Sequence, residues 1–85
     1  MMVEKLDPIS PGELLNKEFL VPLGITKYRL AKEIGVSVQR ISDIVAGKQA
    51  ITADIDLRLS RFFGLTESYW LRAQAAYDSE LAKES

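Results

Sequence analysis

The sequence contains no cysteine and no histidine, and these absences exclude several kinds of chemistry. Without cysteine the chain can form neither a disulfide nor a thiolate nucleophile. Without histidine it lacks the commonest metal ligand and the commonest general base. We therefore predict that the protein requires no metal and no other cofactor.

Long apolar runs are also missing from the sequence. No stretch approaches the roughly 20 apolar residues that a membrane-spanning helix needs, and the first residues lack the basic-then-apolar order of a secretion signal. We therefore expect a cytoplasmic protein with no membrane partner.

The arrangements of side chains that catalysis needs are absent as well. Asp54 and Asp56 would point to different faces of a predicted helix, so they would not form a pair of acid and base. No nucleophile lies beside a base, and no glycine-rich phosphate loop follows a strand. The sequence therefore predicts no catalytic residue and no enzymatic activity.

What the sequence does contain is enough apolar surface for one small core. The chain has 85 residues, of which 47% are hydrophobic. This composition is typical of a chain that folds, and the length suits a single domain. A symmetric second copy would bury further surface and stabilise so small a core.

Charge is distributed unevenly along the chain. The formal net charge is −1, but residues 26–48 carry five basic and two acidic side chains, a net charge of +3. The rest of the chain carries six basic and ten acidic side chains, a net charge of −4. A basic patch on an acidic body is typical of a protein that binds DNA. The acidic remainder suits either a basic protein partner or simple solubility.

Residues 26–48 predict two short helices joined by a tight turn. Apolar residues recur at helical spacing in each half, which places one face of each helix on a core. They are Leu30, Ala31 and Ile34 in the first helix and Ile41, Ile44 and Val45 in the second. Gly35 suits a turn that requires a positive φ. Thr26 suits the N-cap of the first helix and Ser37 that of the second. This arrangement is a helix-turn-helix, whose second helix enters the major groove of DNA.

The residues before this motif predict one more helix. Ser10 would cap it, with Pro11 at its first helical position. Pro22 would end it near Leu20, because a proline forces the preceding residue, here Val21, out of the helical region.

The residues after the motif predict two further helices, which makes an all-α domain of five. Thr52 would cap the fourth helix and Thr66 the fifth. The apolar stripe of the fourth helix would consist of Ile55, Leu59, Phe62 and Phe63. The predicted limits are an N-terminal arm at residues 1–9, one domain at residues 10–82 with a recognition helix at about residues 38–46, and a frayed tail at residues 83–85.

The outward face of the recognition helix carries side chains suited to DNA. Glutamine can pair bidentately with adenine and arginine with guanine, and an apolar side chain can contact the thymine methyl group. The candidate base contacts are Val38, Gln39, Arg40, Ser42 and Asp43. Asp43 would either accept a hydrogen bond from cytosine N4 or orient Arg40. The candidate phosphate contacts, which position a protein without specifying sequence, are Thr26, Lys27, Ser37 and Lys48.

The last predicted helix has more apolar surface than a small core can cover. Trp70, Tyr77 and Leu81 recur on one face together with Gln74, and uncovered apolar surface usually marks an interface. We assign Trp70, Tyr77 and Leu81 to the interface of a homodimer, with the alternative that Trp70 belongs to the core.

Short motifs along the chain, taken in order, resemble one family. In the helix-turn-helix they are Gly24-Ile25-Thr26-Lys27, Leu30-Ala31, Ile34-Gly35-Val36-Ser37, Ile41-Ser42 and Gly47-Lys48. These are similar to phage-repressor-like (Xre-type) regulators. The flanking motifs are Pro11-Gly12-Glu13, Ala50-Ile51-Thr52-Ala53-Asp54, Phe63-Gly64, Tyr69-Trp70-Leu71, Gln74 and Tyr77-Asp78. With these flanks, the chain resembles the HigA family of antitoxins from about residue 9 to residue 81.

The resemblance implies a lambda-repressor-like DNA-binding domain and two kinds of partner. One is double-stranded operator DNA, which a homodimer would bind to repress its own promoter. The other is a small basic ribonuclease toxin that cuts mRNA on the ribosome and that the protein would neutralise. Our first candidate for the toxin contact is the stretch from Met1 to Leu15, with Glu4, Asp7 and Glu13. Two alternatives stay open: a stand-alone transcriptional repressor with no toxin, and a toxin-binding module that no longer reads DNA.

Overall fold

The computed structural model describes residues 8–84, in which there are five helices and no strand. Helix α1 spans residues 11–23 and has three consecutive segments, α-helical Pro11–Leu14, π-helical Leu15–Leu20 and α-helical Val21–Leu23. The others are α2 (Lys27–Ile34), α3 (Val38–Val45), α4 (Ala53–Phe63) and α5 (Tyr69–Glu84). The predicted all-α fold of five helices is confirmed. The predicted arm lies almost entirely outside the described residues, as do Glu4 and Asp7.

Four of these helices begin with the side-chain caps that the sequence predicts. The hydroxyl of Ser10 accepts a hydrogen bond from the backbone N–H three residues later (3.2 Å). Thr26, Ser37 and Thr52 do the same at the starts of α2, α3 and α4, at 3.0, 3.1 and 3.3 Å. Each bond satisfies one of the backbone donors that the first turn of a helix leaves without a partner. Local sequence therefore sets where these helices begin.

Helix α1 differs from the prediction at its C-terminal end. Val21 precedes Pro22 and yet has helical backbone angles (φ −63°, ψ −52°), and α1 continues to the left-handed Gly24 (φ 67°). The predicted end near Leu20 is therefore wrong. The reason is the π-helical segment, in which the N–H of Val21 donates to the carbonyl of Asn16, five residues back. This wider turn displaces the carbonyl group that a proline ring would meet in a regular α-helix.

One apolar core lies between the five helices, and the predicted core faces of α2 and α3 point into it. Its buried side chains are Leu15, Leu20, Leu30, Ala31, Ile34, Ile41, Ile44, Ile51, Ile55, Leu59 and Trp70. In α4 the predicted stripe is too wide, since Phe62 is 37% exposed. Phe63 is half-buried and packs against Phe19 of α1, with ring centroids 4.9 Å apart. Positions 55, 59 and 63 already fill the face of α4 that meets the core, so Phe62 lies at its edge.

The start of α5 is capped by Asp56, a buried carboxylate of α4. Its oxygens accept hydrogen bonds from the backbone N–H groups of Ser68 and Trp70, both at 2.8 Å, and of Leu71, at 3.3 Å. The predicted cap at Thr66 is therefore wrong. The helix begins three residues after Thr66, and a side chain distant in sequence supplies the acceptor.

Trp70 belongs to the core and not to a dimer interface. Its side chain is fully buried and lies among Phe19, Phe63 and Tyr69, with ring centroids 5.1, 6.4 and 5.1 Å away. The assignment of Trp70 to the interface is wrong because residues of α1, α4 and α5 cover the indole completely. The alternative, that Trp70 is a core residue, is confirmed.

A hydrogen-bond bridge fastens α5 to the segment between α3 and α4. Oε1 of Gln74 accepts from the backbone N–H of the buried Ile51 (2.9 Å), and Nε2 of Gln74 donates to Oδ1 of Asp78 (3.0 Å). Beyond the bridge the helix continues to its last described residue, and Lys83, predicted to fray, pairs with Glu80 (3.4 Å).

Across residues 8–84, no helix combines the length and the apolar character needed to cross a membrane.

Candidate nucleic-acid interface

Helices α2 and α3 are held together by the turn between them. Gly35 is left-handed (φ 77°), and the N–H groups of Gly35 and Val36 both donate to the carbonyl of Ala31 (2.9 and 3.0 Å). Ala31 is almost fully buried. A small residue is typical of a place where two helices cross closely. Arg58 of α4 donates from Nη1 to the carbonyl of Ile34 (2.6 Å). The C-terminal end of α2 is therefore fixed both by the turn and by α4.

A close backbone contact fixes α3 from the side of α1. A Cβ atom on Gly12 would lie 1.8 Å from the carbonyl oxygen of Ile44 and 2.9 Å from the Cα of Val45. Only glycine leaves room for this approach, so the start of α1 rests directly on the backbone of α3. The recognition helix therefore has a fixed orientation in the domain.

The predicted base contacts all lie on the part of α3 that is turned away from the core. Ile41 and Ile44 are buried and point toward the other helices. The five candidates remain accessible, with Val38 and Gln39 exposed and Arg40, Ser42 and Asp43 half-buried. Because their helix cannot rotate without displacing its core residues, these side chains form a surface of defined shape.

Two of the predicted base contacts are held by other side chains of the protein. Nε2 of Gln39 donates to Oδ1 of Asp43, one turn later (2.9 Å). Nη2 of Arg40 donates to Oγ1 of Thr52, the N-cap of α4 (3.4 Å). The interpretation that Asp43 orients Arg40 is therefore wrong. The sequence contains no signal for Thr52 as the partner of Arg40, because this contact depends on how α4 packs beside α3.

The predicted phosphate contacts are exposed and lie at the ends of α2 and α3. Thr26 and Lys27 are at the start of α2, Ser37 is at the start of α3, and Lys48 follows its end. Helix N-termini favour anions because their N–H groups and the helix dipole point outward. Ion pairs within residues 8–84 join Lys17 to Glu13, Arg58 to Asp54 and Lys83 to Glu80. Lys27 and Lys48 are in none of them, so their charges remain available to a polyanion.

Comparison with known proteins matches residues 17–70 of the chain to the helix-turn-helix family. Virulence-associated protein I of Dichelobacter nodosus is 44% identical over 80 residues, which are 94% of this chain and 74% of that protein. Antitoxin HigA-1 of Vibrio cholerae is 38% identical over 78 residues, 92% of this chain and 73% of that protein. The structure of Pseudomonas aeruginosa antitoxin HigA with the higBA promoter superimposes with a TM-score of 0.84 at 37% identity, covering 88% of this chain and 82% of that one. This chain belongs to the HigA family of helix-turn-helix proteins.

In this member of the HigA family, the two remaining candidate dimer contacts lie close together on α5. Tyr77 is half-buried and Leu81 is 44% exposed. Both line a groove of about 260 Å³ between α5, the start of α1 and the segment that follows α3. Tyr77 also lines a second groove, of about 250 Å³, on the other flank of α5 beside Ile9 and Ala76. Contact of Tyr77 and Leu81 with a second copy stays a prediction.

Proposed function

We propose that this protein binds operator DNA as a homodimer, represses its own promoter and neutralises a cognate toxin. The DNA-binding part of this proposal rests on one observation: α3 has a fixed orientation, and its Gln39 and Arg40 lie outside the core. The structure of P. aeruginosa HigA with its promoter supports the same use of this fold.

Three of the accessible side chains of α3 have a matching group in the major groove. Arg40 suits guanine N7 and O6, Gln39 suits adenine N7 and N6, and Val38 suits a thymine methyl group. Arg40 is free to exchange its long hydrogen bond to Thr52 for a base contact. Thr26, Lys27, Ser37 and Lys48 contact phosphates and set the register of α3 on the duplex.

A homodimer follows from the geometry of such an operator. One helix-turn-helix covers a single half-site, and a second copy adds contacts about one helical turn away. Two recognition helices must reach the same face of DNA, so the dimer contact lies away from α3. The exposed surface of α5 around Tyr77 and Leu81 meets that requirement.

Two observations support a toxin partner: the family to which the chain belongs and the acidic character of the chain outside residues 26–48. HigA-1 of V. cholerae is named an antitoxin, and the acidic remainder of this chain would attract a small basic ribonuclease that cleaves mRNA. Steering between opposite charges raises association rates and is screened by salt. The proposed contact remains the stretch from Met1 to Leu15, of which only residues 8–15 are described. Within them Glu13 is half-buried and pairs with Lys17 (3.3 Å).

Replacement of Arg40 by alanine is expected to weaken operator binding by about 1–3 kcal/mol per half-site and to relax the preference at one base pair. Lys48→Ala is the matched control, because it also removes one positive charge but from a phosphate contact. It should weaken binding to all sequences alike and lower the slope of log K against log salt by about 1. Mobility-shift titrations with the protein's own promoter fragment measure both effects. Unchanged affinity and base preference for Arg40→Ala would show that α3 does not read the bases.

The toxin partner is tested by co-expression with a neighbouring small reading frame, followed by pull-down. Because Arg40 is not part of the proposed toxin contact, Arg40→Ala is expected to protect cells as well as the wild type does while it fails to repress the promoter. If no neighbouring product is toxic, or if a toxic one is neither bound nor neutralised, a stand-alone repressor becomes the better account.

A further inference from the structure

Asp43 occupies a position in α3 where a carboxylate is electrostatically unfavourable. It lies in the last turn of the helix, where the helix dipole disfavours negative charge, and it borders the surface proposed to face DNA phosphates. The carboxylates that form ion pairs within residues 8–84 are those of Glu13, Asp54 and Glu80. The charge of Asp43 is therefore not explained by an ion pair that stabilises the fold.

The side-chain contact that Asp43 does make is with Gln39. A carboxylate only accepts hydrogen bonds, so the 2.9 Å bond directs the amide nitrogen of Gln39 toward Asp43 and its oxygen away. Asp43 is itself well placed to act as an anchor. It is half-buried, and its backbone carbonyl accepts from the N–H groups of Lys48 and Gln49 (2.8 and 3.2 Å).

Anchoring leaves the Gln39 amide with one N–H and its carbonyl oxygen. In the major groove, adenine offers an acceptor at N7 and a donor at N6, which this pair of groups complements. Guanine offers two acceptors, N7 and O6, and an amide can serve both only with two free N–H groups. One of those N–H groups is already committed to Asp43.

We propose that Asp43 is a positioning residue that makes Gln39 select adenine over guanine, and that Asp43 does not contact a base itself. The inference rests on the proposed DNA-binding function. In this proposal the half-buried carboxylate of Asp43 sets the orientation of the exposed Gln39 side chain, which contacts the base.

The test is to sequence the duplexes that each variant selects from a randomised DNA library. Gln39→Ala identifies the base pair that Gln39 reads, as the one whose preference disappears. At that base pair, Asp43→Ala is expected to lower the ratio of adenine to guanine about tenfold. Its affinity for non-operator DNA should stay constant or rise, because a negative charge has been removed near the phosphates. A variant that had merely lost its fold would bind every sequence more weakly.

Further variants separate positioning from direct contact. Asp43→Asn keeps a carbonyl acceptor and should retain more of the preference than Asp43→Ala, and Asp54→Ala, which removes an exposed carboxylate of α4, should retain all of it. Once Gln39 is alanine, Asp43→Ala should cause no further change in base preference. If Asp43→Ala lowers the preference at a second base pair, and does so in the Gln39→Ala background as well, Asp43 contacts that base directly. That result would overturn the proposal. Unchanged selectivity of Asp43→Ala would also overturn it, whereas a wild type that enriches no sequence would overturn the DNA-binding function as well.

Discussion

Replacement of Asp56 by alanine is expected to lower the free energy of unfolding by about 3–5 kcal/mol. The carboxylate accepts three backbone N–H groups at the start of α5, and alanine would leave those donors without a partner in or beside the core. For a domain whose total stability is on the order of 5–10 kcal/mol, such a loss leaves the variant close to its unfolding transition.

Urea titration measures this loss, and the chain supplies both a reporter and a control. Trp70 is the only tryptophan and sits in the turn that Asp56 caps, so its fluorescence reports whether α5 is docked. Asp54→Ala removes an exposed carboxylate of the same helix, whose partner is Arg58 (3.1 Å), and should cost no more than about 1 kcal/mol. Equal stability of the two variants would mean that the start of α5 does not depend on Asp56.

The second large effect is expected for Gly12→Ala, at about 3 kcal/mol of lost stability. The added methyl group would meet the backbone of Ile44 and Val45, which cannot move aside as a flexible side chain can. Helix α1 would have to separate from α3, so operator affinity should fall as well.

Gly47→Ala is the matched control for Gly12→Ala. Gly47 has φ 79° and nothing within 4 Å of an added Cβ atom, so alanine there costs only the left-handed backbone, about 1 kcal/mol. Thermal unfolding compares the two variants, and mobility-shift titration compares their binding. If Gly12→Ala were no less stable than Gly47→Ala, the contact between α1 and α3 would not be as close as the structure shows.

The parts of the fold that could be predicted from the sequence depend on contacts within a few residues. The caps at Ser10, Thr26, Ser37 and Thr52 bond to a backbone N–H three residues later, so residue type and position suffice to find them. The same is true of the turn at Gly35, which needs a positive φ. Helical spacing of apolar residues likewise reveals which face of α2 or α3 meets the core.

The errors at Thr66, Pro22 and Arg40 share the opposite property, since each depends on residues far apart in the chain or on an irregular backbone. Asp56 replaces Thr66 as the cap of α5 because the packing of α4 against α5 brings its carboxylate there. Helix α1 continues past Pro22 because a π-helical segment precedes this proline, and sequence spacing gives no sign of such a segment. The partner of Arg40 at the candidate site, Thr52, follows from tertiary packing in the same way.

The bridge formed by Gln74 has a thermodynamic consequence. One amide joins α5 to Ile51, in the segment that leads from the recognition helix and Lys48 to α4, and on its other side it holds Asp78. A molecule that binds this part of α5 more tightly when the bridge is intact stabilises that segment in a single conformation. If DNA binds more tightly to the same conformation, the two ligands are coupled, and each raises the affinity of the other by the same factor. Under the same condition, a molecule that binds α5 more tightly when the bridge is broken lowers the affinity for DNA, and DNA lowers its affinity by the same factor.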